Sequence, residues 1–568
     1  MTIHVLHAGD GYLYLIRSVA AHDGRLTPGS SLAAYYLASG QPPGRWAGRA
    51  AQQLGVAGVA TEEQMRALFG EGLHPNAEVI QRVLRAGGVS EEAALRATRL
   101  GRRFPQYRRI EGIVPLARRA YAAREQALGR RLTEQEKLAV RQEAAGEVFA
   151  SRKGRPPLDP VELEALGEDT ARREAVAGYD LTFTPVKSVA VLWGLGSETT
   201  RQQIFEAHEA AVADALEWVE SHAALTRTGN HGQAQIDTQG LIVARFHHWD
   251  SRAGDPDLHT HAAVSNKVQG PDGKWRSLDG RGLFAAAVSG SGRYNSRIED
   301  ELRTRLGVEF TERPGARDGR RPVREIAGIP QPLLEAFSKR RTGIEQQYQD
   351  LLRDYRDRHG REPAGTTRHG LYQQATLSNR PEKQHGRSLQ DMLTAWQTEA
   401  SRILDTPNVT AAVEDATLAK PHDDNTPDLD QLVKRLLTAL STSRATWNIH
   451  HVRAEAHRQT RAIPTKDRDR LVETMVASAT DPARVVEIVM PRPILEPEAL
   501  RRADGESVFV EHGSTLYTTT EILDAEQRIV DAGRLDTGRR LDQTAVGDAI
   551  EQAVRDGRAR YARQRGFV

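Results

Sequence analysis

The sequence predicts an α+β protein in which an antiparallel sheet is flanked by helices. Two segments alternate apolar and polar residues as half-buried strands do, Gly240–His248 and the segment that begins at Gly178. A turn-forming run, Ser251–Asp257, joins the first strand to a His-Thr-His segment and predicts a hairpin. Thr200–His222 has the period of a long amphipathic helix. Hairpins beside long helices indicate this fold class.

The predicted hairpin carries three histidines that can converge. His259 and His261 are two residues apart, so both point to the same face of a strand. On the preceding strand, His248 shares the apolar face with Phe246, which favours it over His247 as the third inward histidine. Three imidazoles suit a divalent metal with an open coordination position. A chain with 19 histidines also produces such pairs by chance. Spacing alone therefore leaves both interpretations open.

The same stretch also carries a resemblance to a known family. Residues 246–261, FHHWDSRAGDPDLHTH, resemble the three-histidine motif of conjugative relaxases of the MobF class, within the HUH endonuclease superfamily. Three more stretches match that family in the same order, GDGYLYL, AAYYLASGQPPGRWAGRAAQQLG and AGYDLTFTPVKSVAVLWGL. The resemblance implies the relaxase palm fold. It also implies strand-specific nicking of transfer-origin DNA, a covalent 5′-phosphotyrosine and later rejoining of the strand.

The resemblance places the catalytic tyrosines near the N-terminus. Tyr12 and Tyr14 match the first tyrosine pair of the family, and Tyr35 and Tyr36 match the second. On a helix Tyr12 and Tyr14 point about 200° apart, so only one of them can face the metal comfortably. The choice between them stays open at this stage. Asp180 is expected to orient a histidine or to accept the phenol proton.

The resemblance also implies a cofactor and partners. The three histidines are expected to hold Mg²⁺ or Mn²⁺, with Zn²⁺ as an alternative. Lys187, Arg252 and Arg297 are expected to contact DNA phosphates. The expected partners are single-stranded and hairpin DNA at a transfer origin, a coupling protein and type IV secretion machinery. His208, in the long helix, is predicted to lie at the surface, because no second histidine follows four residues later.

Composition excludes several other classes of protein. The chain has 568 residues and no cysteine, so disulfides, thiolate metal sites and a cysteine nucleophile are excluded. No apolar run of membrane-spanning length and no secretion signal are visible, which leads us to expect a cytoplasmic protein, translocated with its DNA if it behaves like the family. The net charge of +2 means that any DNA-binding face must be local.

Changes in composition along the chain predict its domain organisation. No Gly-x-x-x-x-Gly-Lys-Ser/Thr phosphate loop occurs, so we expect no ATP motor, whether the chain is truncated or naturally short. The predicted units are a palm (1–72 and 177–335), a helical insertion (73–176), a helical DNA-clamping segment (336–404), a linker (405–430) and a mixed module that resembles the start of a helicase region (431–568).

Three competing functions stay open from sequence alone. A rolling-circle replication initiator uses the same chemistry but is usually shorter and commonly has two ligand histidines. A metal-dependent phosphodiesterase would hydrolyse DNA without a covalent intermediate. A catalytically silent DNA-binding module would use the metal for structure only.

Overall fold

The structure is a computed structural model of the chain. It describes residues 1–16, 42–105, 113–157, 174–313, 322–378, 388–417, 428–463, 467–488, 496–535, 544 and 546–548.

The described residues form strands and helices that are numbered here in chain order. The strands are β1 (Thr2–His7), β2 (Arg45–Ala47), β3 (Val176–Phe183), β4 (Leu225–Thr228), β5 (Ala234–Asp237), β6 (Val243–Asp250), β7 (Pro256–Ser265), β8 (Lys267–Gln269), β9 (Trp275–Ser277), β10 (Phe310–Glu312), β11 (Arg324–Ile326), β12 (Trp447–Asn448), β13 (Val486–Ile488) and β14 (Leu516–Thr518). The helices are α1 (Leu13–Ile16), α2 (Arg49–Gln53), α3 (Glu62–Met65), α4 (Ala77–Ala86), α5 (Glu91–Ala97), α6 (Ile113–Leu128), α7 (Glu134–Lys153), α8 (Lys187–Leu195), α9 (Glu198–Ala223), α10 (Gly280–Leu306), α11 (Gln331–Ala336), α12 (Lys339–His359), α13 (Gly365–Ser378), α14 (Leu389–Leu404), α15 (Val409–Thr417), α16 (Leu429–Ser443), α17 (Ile449–Thr460), α18 (Arg468–Ala479) and α19 (Thr520–Arg534).

Five strands form one antiparallel sheet in the order β1-β3-β7-β6-β2. In the β6–β7 hairpin His248 lies opposite His259, and across β3 and β7 Thr182 lies opposite His261. The other strands form pairs or a three-stranded sheet at the periphery. The antiparallel sheet with helices packed against it confirms the predicted α+β fold class.

Alternation along the strands gives this sheet two different faces. We name the face that carries Asp180, His248, His259 and His261 the site face. The opposite face, which carries Thr260, is named the helix face. These two faces have separate hydrophobic cores.

Helices α8, α9 and α10 cover the helix face. Leu181 and Val264 from the sheet pack there with Ile204 and Val212 of α9 and Ile298 of α10, and all five are at least 96% buried. Burial of each such side chain stabilises the fold by about 1.5–3 kcal/mol. The larger core of the molecule therefore lies on this side of the sheet.

A smaller core covers part of the site face. It contains Tyr12, Leu15, Trp46 and Phe69, which come from the N-terminal segments. Phe69 belongs to a π-helical turn, Arg66–Glu71, that lies against β3 at Gly178. A Cβ at Gly178 would lie 2.9 Å from the Phe69 ring and 2.3 Å from the Val264 carbonyl oxygen. Glycine at this position therefore permits the close approach of both.

The predicted insertion, 73–176, contains helices α4 to α7. Its early part is attached to the palm by Lys267, whose ammonium donates to the Arg102 carbonyl oxygen at 2.5 Å and lies 4.5 Å from the Phe104 ring centroid. Burial lowers the pKa of Lys267 to about 8. The boundaries of the insertion stay a prediction.

The predicted linker, 405–430, contains the helix α15. Val409 and Val413 of α15 are buried in the helix-face core, and the Glu414 carboxylate accepts a hydrogen bond of 2.8 Å from the Ser197 backbone. The linker prediction is therefore wrong for residues 409–417. Its Asp- and Thr-rich composition concealed two apolar residues at the helical spacing of four.

Residues from 428 onward include a small module with its own core, built from α16, α17, α18 and the β12-β14-β13 sheet. Ion pairs attach it to α10. Arg293 donates to Asp214 of α9 and to Asp469 of α18, and Arg468 donates to Asp300 at 2.6 Å. Within the described ranges, no helix is both long enough and apolar enough to span a bilayer.

Candidate active site

Three imidazoles converge on the site face at the end of the β6–β7 hairpin. The ring centroids of His248, His259 and His261 are 4.9–5.1 Å apart, and one nitrogen of each lies within 4.8 Å of the others. The register explains the cluster, because His248 pairs with His259 and His261 follows two residues later on the same face. Alternation had favoured His248 over His247, and the register confirms that placement.

The turn between the two strands is held by its own polar groups. The Ser251 side chain accepts hydrogen bonds from the backbone N–H groups of Ala253 and Asp255 at 3.2 and 3.3 Å. Gly254 adopts a φ of 78°, a conformation that glycine tolerates without strain. These contacts fix the length of the loop and, through it, the register of the strands that carry the histidines.

Helices from distant parts of the chain also hold this turn. The indole N–H of Trp396, in α14, donates to the Gly254 carbonyl oxygen at 2.7 Å. The Lys339 backbone N–H, at the start of α12, donates to the buried Asp255 carboxylate at 3.0 Å. Lys187 donates to the Pro256 carbonyl oxygen at 2.8 Å. These are backbone and carboxylate contacts around the turn, and the sequence prediction of a phosphate contact for Lys187 stays untested.

Hydrogen bonds orient two of the imidazoles. Nδ1 of His259 lies 2.6 Å from the Asp257 carbonyl oxygen, and Nδ1 of His261 lies 2.7 Å from Oδ2 of Asp180. A carbonyl oxygen only accepts hydrogen bonds, so Nδ1 of His259 carries the proton and Nε2 keeps its lone pair. A carboxylate imposes the same tautomer on His261.

The donor set fits a divalent metal. Burial lowers the pKa of His259, which favours the neutral ring that a metal requires. Carboxylate and carbonyl partners at the far nitrogen are the usual supports of metal-binding histidines. Three neutral imidazoles around one point are donors for a divalent ion of intermediate softness.

Tyr14 is the tyrosine that the structure brings to this cluster. Its hydroxyl donates to Oδ2 of Asp180 at 2.5 Å, and its ring meets the His261 ring edge-on with centroids 5.8 Å apart. The side chain is 38% exposed. Burial and the Asp180 carboxylate both raise the pKa of Tyr14, so the phenol keeps its proton.

The other candidate tyrosines are placed differently. Tyr12 is only 3% exposed and packs in the site-face core with Leu15 and Phe69. Tyr35 and Tyr36 lie outside the described residues. Among the described candidates, Tyr14 alone combines contact with Asp180 and access to solvent.

The two arginines expected to contact DNA lie in different places. Arg252 is half-buried in the turn between β6 and β7. Arg297 lies on α10, which covers the opposite face of the sheet, and its guanidinium pairs with Glu301 at 2.9 Å. Contact with DNA stays a prediction for both arginines.

The chain matches a model of the TrwC relaxase family over residues 8–403, more than two thirds of its length. The chain belongs to the TrwC relaxase family. The matched range includes Tyr14, Asp180 and all three clustered histidines.

Individual relatives are similar over shorter stretches. The multifunctional conjugation protein TraI of Escherichia coli strain K12 is 32% identical over 203 residues, which cover 34% of this chain and 11% of TraI. A second Escherichia coli TraI is 33% identical over 175 residues, covering 30% of this chain and 9% of its own length. The chain thus matches about a tenth of the length of these curated relatives.

Solved structures of one member of the TrwC relaxase family also match. A copper-bound complex of conjugative relaxase TrwC with oriT DNA has a TM-score of 0.42 and 21% identity, and covers 71% of this chain and 98% of its own. A metal-bound TrwC–oriT complex has a TM-score of 0.40 and 20% identity over the same shares.

Sequence reasoning missed a set of buried polar residues behind the cluster. His208, predicted at the surface, is fully buried, and its nitrogens contact Tyr294 at 2.9 Å and Thr260 at 2.7 Å. That prediction is wrong because apolar neighbours at helical spacing, such as Ile204 and Val212, put His208 on the buried side of α9. This periodicity could have revealed it. Burial lowers the pKa of His208 well below its usual value.

A second group with metal-binding residue types lies in the C-terminal module. It consists of Asp504, Glu506 and His512. The fully buried side chain of Arg502 donates to Glu506 at 2.6 Å, and His512 lies 2.8 Å from Asp504. Hydrogen bonding to Glu506 raises the pKa of His512. The Arg502 guanidinium and the His512 ring already contact the carboxylates, so this group is an ion-pair network.

Proposed function

We propose that this chain is a conjugative relaxase that nicks and rejoins one strand of transfer-origin DNA through a covalent 5′-phosphotyrosine. The observation that carries the proposal is the contact of the Tyr14 hydroxyl with Asp180, which in turn contacts His261. Family membership supports the reaction class. The geometry supports Tyr14 over Tyr12 as the nucleophile.

The proposed reaction is a transesterification. The Tyr14 oxygen forms a bond to phosphorus, the bond from phosphorus to the 3′ oxygen breaks, and the phenol proton passes to Asp180. The departing 3′ oxygen takes up a proton from solvent and becomes the 3′ hydroxyl. Asp180 is placed to accept that proton because its Oδ2 already receives the hydrogen bond from Tyr14. The phosphodiester is conserved as a tyrosine ester, so attack by the 3′ hydroxyl reverses the step and rejoins the strand.

His248, His259 and His261 would hold the divalent metal. When bound, the ion would neutralise charge on the non-bridging phosphate oxygens. The resemblance implies Mg²⁺ or Mn²⁺ as the native ion, with Zn²⁺ as an alternative, and the three imidazole donors favour the softer ions of this set. The hydrogen bonds from Nδ1 of His259 and His261 keep these rings oriented whether or not the site is loaded.

The proposed partners follow from this role. The substrate is single-stranded DNA beside a hairpin at a transfer origin, with Lys187, Arg252 and Arg297 as proposed phosphate contacts. A coupling protein and type IV secretion machinery would carry the protein–DNA adduct from the cytoplasm to a recipient cell. The nicking assay and the metal titrations described below test the site. Capture of the partner proteins would test the transfer steps separately.

The experiment that tests the proposal incubates the protein with a randomised single-stranded DNA library and Mg²⁺ or Mn²⁺. Covalently attached DNA is recovered under denaturing conditions and sequenced at its 5′ end. We expect an adduct enriched in one junction sequence, lost in Tyr14→Phe and kept in Tyr12→Phe. The Tyr12→Phe variant is the matched control, because it also removes a phenol hydroxyl, at a position two residues away.

Other outcomes favour the competing functions. Cleavage without an adduct would support a phosphodiesterase, and binding without cleavage would support a silent DNA-binding module. An adduct that survives Tyr14→Phe would contradict the assignment of Tyr14. A rolling-circle initiator would also form an adduct, so the recovered junction must be compared with transfer and replication origins.

A further inference from the structure

A connected series of polar side chains crosses the helix face directly behind the histidine cluster. It contains Tyr294 of α10, His208 and Glu209 of α9, Thr260 of β7 and His247 of β6. Neighbouring atoms lie 2.9 Å apart from Tyr294 to His208, 2.7 Å from His208 to Thr260, 2.9 Å from Thr260 to His247, and 3.4 Å from His247 to Glu209. The series therefore links two helices to both strands of the metal-carrying hairpin.

One arrangement of protons satisfies the three hydrogen bonds of the series. The Tyr294 hydroxyl donates to Nδ1 of His208, and Nε2–H of His208 donates to the Thr260 oxygen. The Thr260 hydroxyl then donates to Nδ1 of His247. This leaves the proton of His247 on Nε2, which lies 3.4 Å from Oε1 of Glu209 without a hydrogen bond between them. Each imidazole carries one proton, and each donor of the three hydrogen bonds has an acceptor.

The reverse arrangement fails at both ends. It would set the lone pair of His247 Nε2 against one oxygen of the Glu209 carboxylate, whose other oxygen lies 3.6 Å from the Arg245 guanidinium. It would also deprive the Tyr294 hydroxyl of an acceptor, since His208 is its hydrogen-bond partner among the described residues. Unsatisfied buried groups of this kind are strongly disfavoured.

Thr260 occupies a particular position in the hairpin. It lies between His259 and His261 in β7, with its side chain on the opposite face, and it pairs across the strands with His247, the neighbour of His248. A slip of one residue between β6 and β7 would turn the histidines to the wrong faces. The hydrogen bond from Thr260 to His247 opposes that slip.

We propose that Thr260, together with His208 and His247, positions the three metal-binding imidazoles by fixing the register of the hairpin from the helix face. These residues do not touch metal or substrate and act through the strands. The inference rests on the proposed function, because it concerns the same three histidines.

The test is a titration of the full-length protein with Co²⁺, followed by its visible absorption. Thr260→Val keeps the shape of the side chain and removes the hydroxyl. We expect its Co²⁺ affinity to fall about tenfold, at the low end of the effect of losing a group that supports metal ligands. Thr260→Ser should restore affinity, because it restores the donor and the acceptor.

The matched control is Thr226→Val. Thr226 is equally buried and its hydroxyl donates to the Ser277 carbonyl oxygen at 2.7 Å, in the separate β4 strand. The Thr226→Val substitution removes a comparable buried hydrogen bond away from the hairpin. The Co²⁺ affinity of this variant should equal that of the unmodified protein. A loss of affinity through general destabilisation would appear in both variants.

Equal Co²⁺ affinity in Thr260→Val and Thr226→Val would overturn the inference and leave the proposed function intact. Absence of Co²⁺ binding by the unmodified protein would overturn the metal site itself. If Thr260→Val does not fold, the ¹⁵N imidazole spectrum of the unmodified, metal-free protein tests the inference instead. We expect His208 and His247 to be neutral with the proton on Nε2, and a proton on Nδ1 of either ring would contradict the proposed order.

Discussion

On the site face of the central sheet, three imidazoles stand together beside a tyrosine that is 38% exposed. On the helix face, His247 and His208 are enclosed between the sheet and α9, at 4% and 0% exposure. His247 and His248 are consecutive in the chain, so strand alternation alone sends one to each face. The exposure of the two rings is nearly equal, at 5% for His248 and 4% for His247, so the partners on each face decide what the ring can do. On the site face one nitrogen of each imidazole lies within 4.8 Å of the others and can receive a ligand, whereas on the helix face both nitrogens of His208 and Nδ1 of His247 have hydrogen-bond partners.

The comparison is tested most strongly by removing a site-face histidine. We expect His259→Ala to weaken Co²⁺ binding by more than about 100-fold, because loss of a ligand exceeds the loss of its supporting groups. The metal-free protein should keep its free energy of unfolding within about 1.5 kcal/mol. Calorimetric titration and denaturant unfolding measure the two quantities. A large loss of stability in the metal-free state would contradict the distinction between ligand-binding histidines on the site face and stabilising histidines on the helix face.

The corresponding change on the helix face should act on stability. His208→Ala leaves a cavity and removes the partner of the Tyr294 hydroxyl, so the free energy of unfolding should fall by about 2 kcal/mol. His369→Ala, at an exposed position in α13, is the control and should change it by less than about 0.5 kcal/mol. Urea unfolding monitored by tryptophan fluorescence measures both, and equal values would count against the buried network.

A smaller effect is expected from the helices that hold the turn. Trp396→Phe removes the indole donor to the Gly254 carbonyl oxygen and should cost about 1 kcal/mol. Trp447→Phe is the matched control, because its buried indole nitrogen has no hydrogen-bond partner among the described residues. The difference between the two variants isolates the hydrogen bond. Faster amide exchange at Gly254 and Asp255 in Trp396→Phe alone would locate it at the turn.

The smallest effect concerns the C-terminal module. The pKa of His512 is raised chiefly by Glu506, with Asp504 adding to it, while burial opposes the charge. A raised pKa means that protonated His512 stabilises the module at low pH. This contribution, below about 1 kcal/mol for a half-buried pair, is fully present below the unfolded pKa of about 6.5 and should be lost as pH rises through the raised folded pKa. His512→Gln should remove that pH dependence from unfolding curves, and an unchanged profile would contradict it.

Local patterns predicted those parts of the site that depend on neighbours in the sequence. Alternation placed His248 with His259 and His261, and a turn-forming run predicted the hairpin that joins them. Periodicity could not decide between Tyr12 and Tyr14, because α1 spans only Leu13–Ile16. The choice depends on the packing of Tyr12 in the site-face core.

The sequence did not predict the contacts between distant segments. Trp396 and Lys339 reach the turn from positions at least 84 residues away, and no pattern links them to it. The apolar spacing around His208 did contain the information that the residue is buried. This spacing was given less weight than the expectation that a lone histidine lies at the surface.

One of the two edge strands of the sheet, β1, is made first but pairs with β3, so that Thr2 lies opposite Thr182. At a synthesis rate of roughly 5–20 residues per second, β1 is made roughly 9–35 s before β3. During that interval Tyr14 has neither Asp180 nor any of the three imidazoles near it. A nascent chain therefore lacks the contacts that join Tyr14, Asp180 and His261, and under the proposed function it would not nick DNA until the sheet is complete.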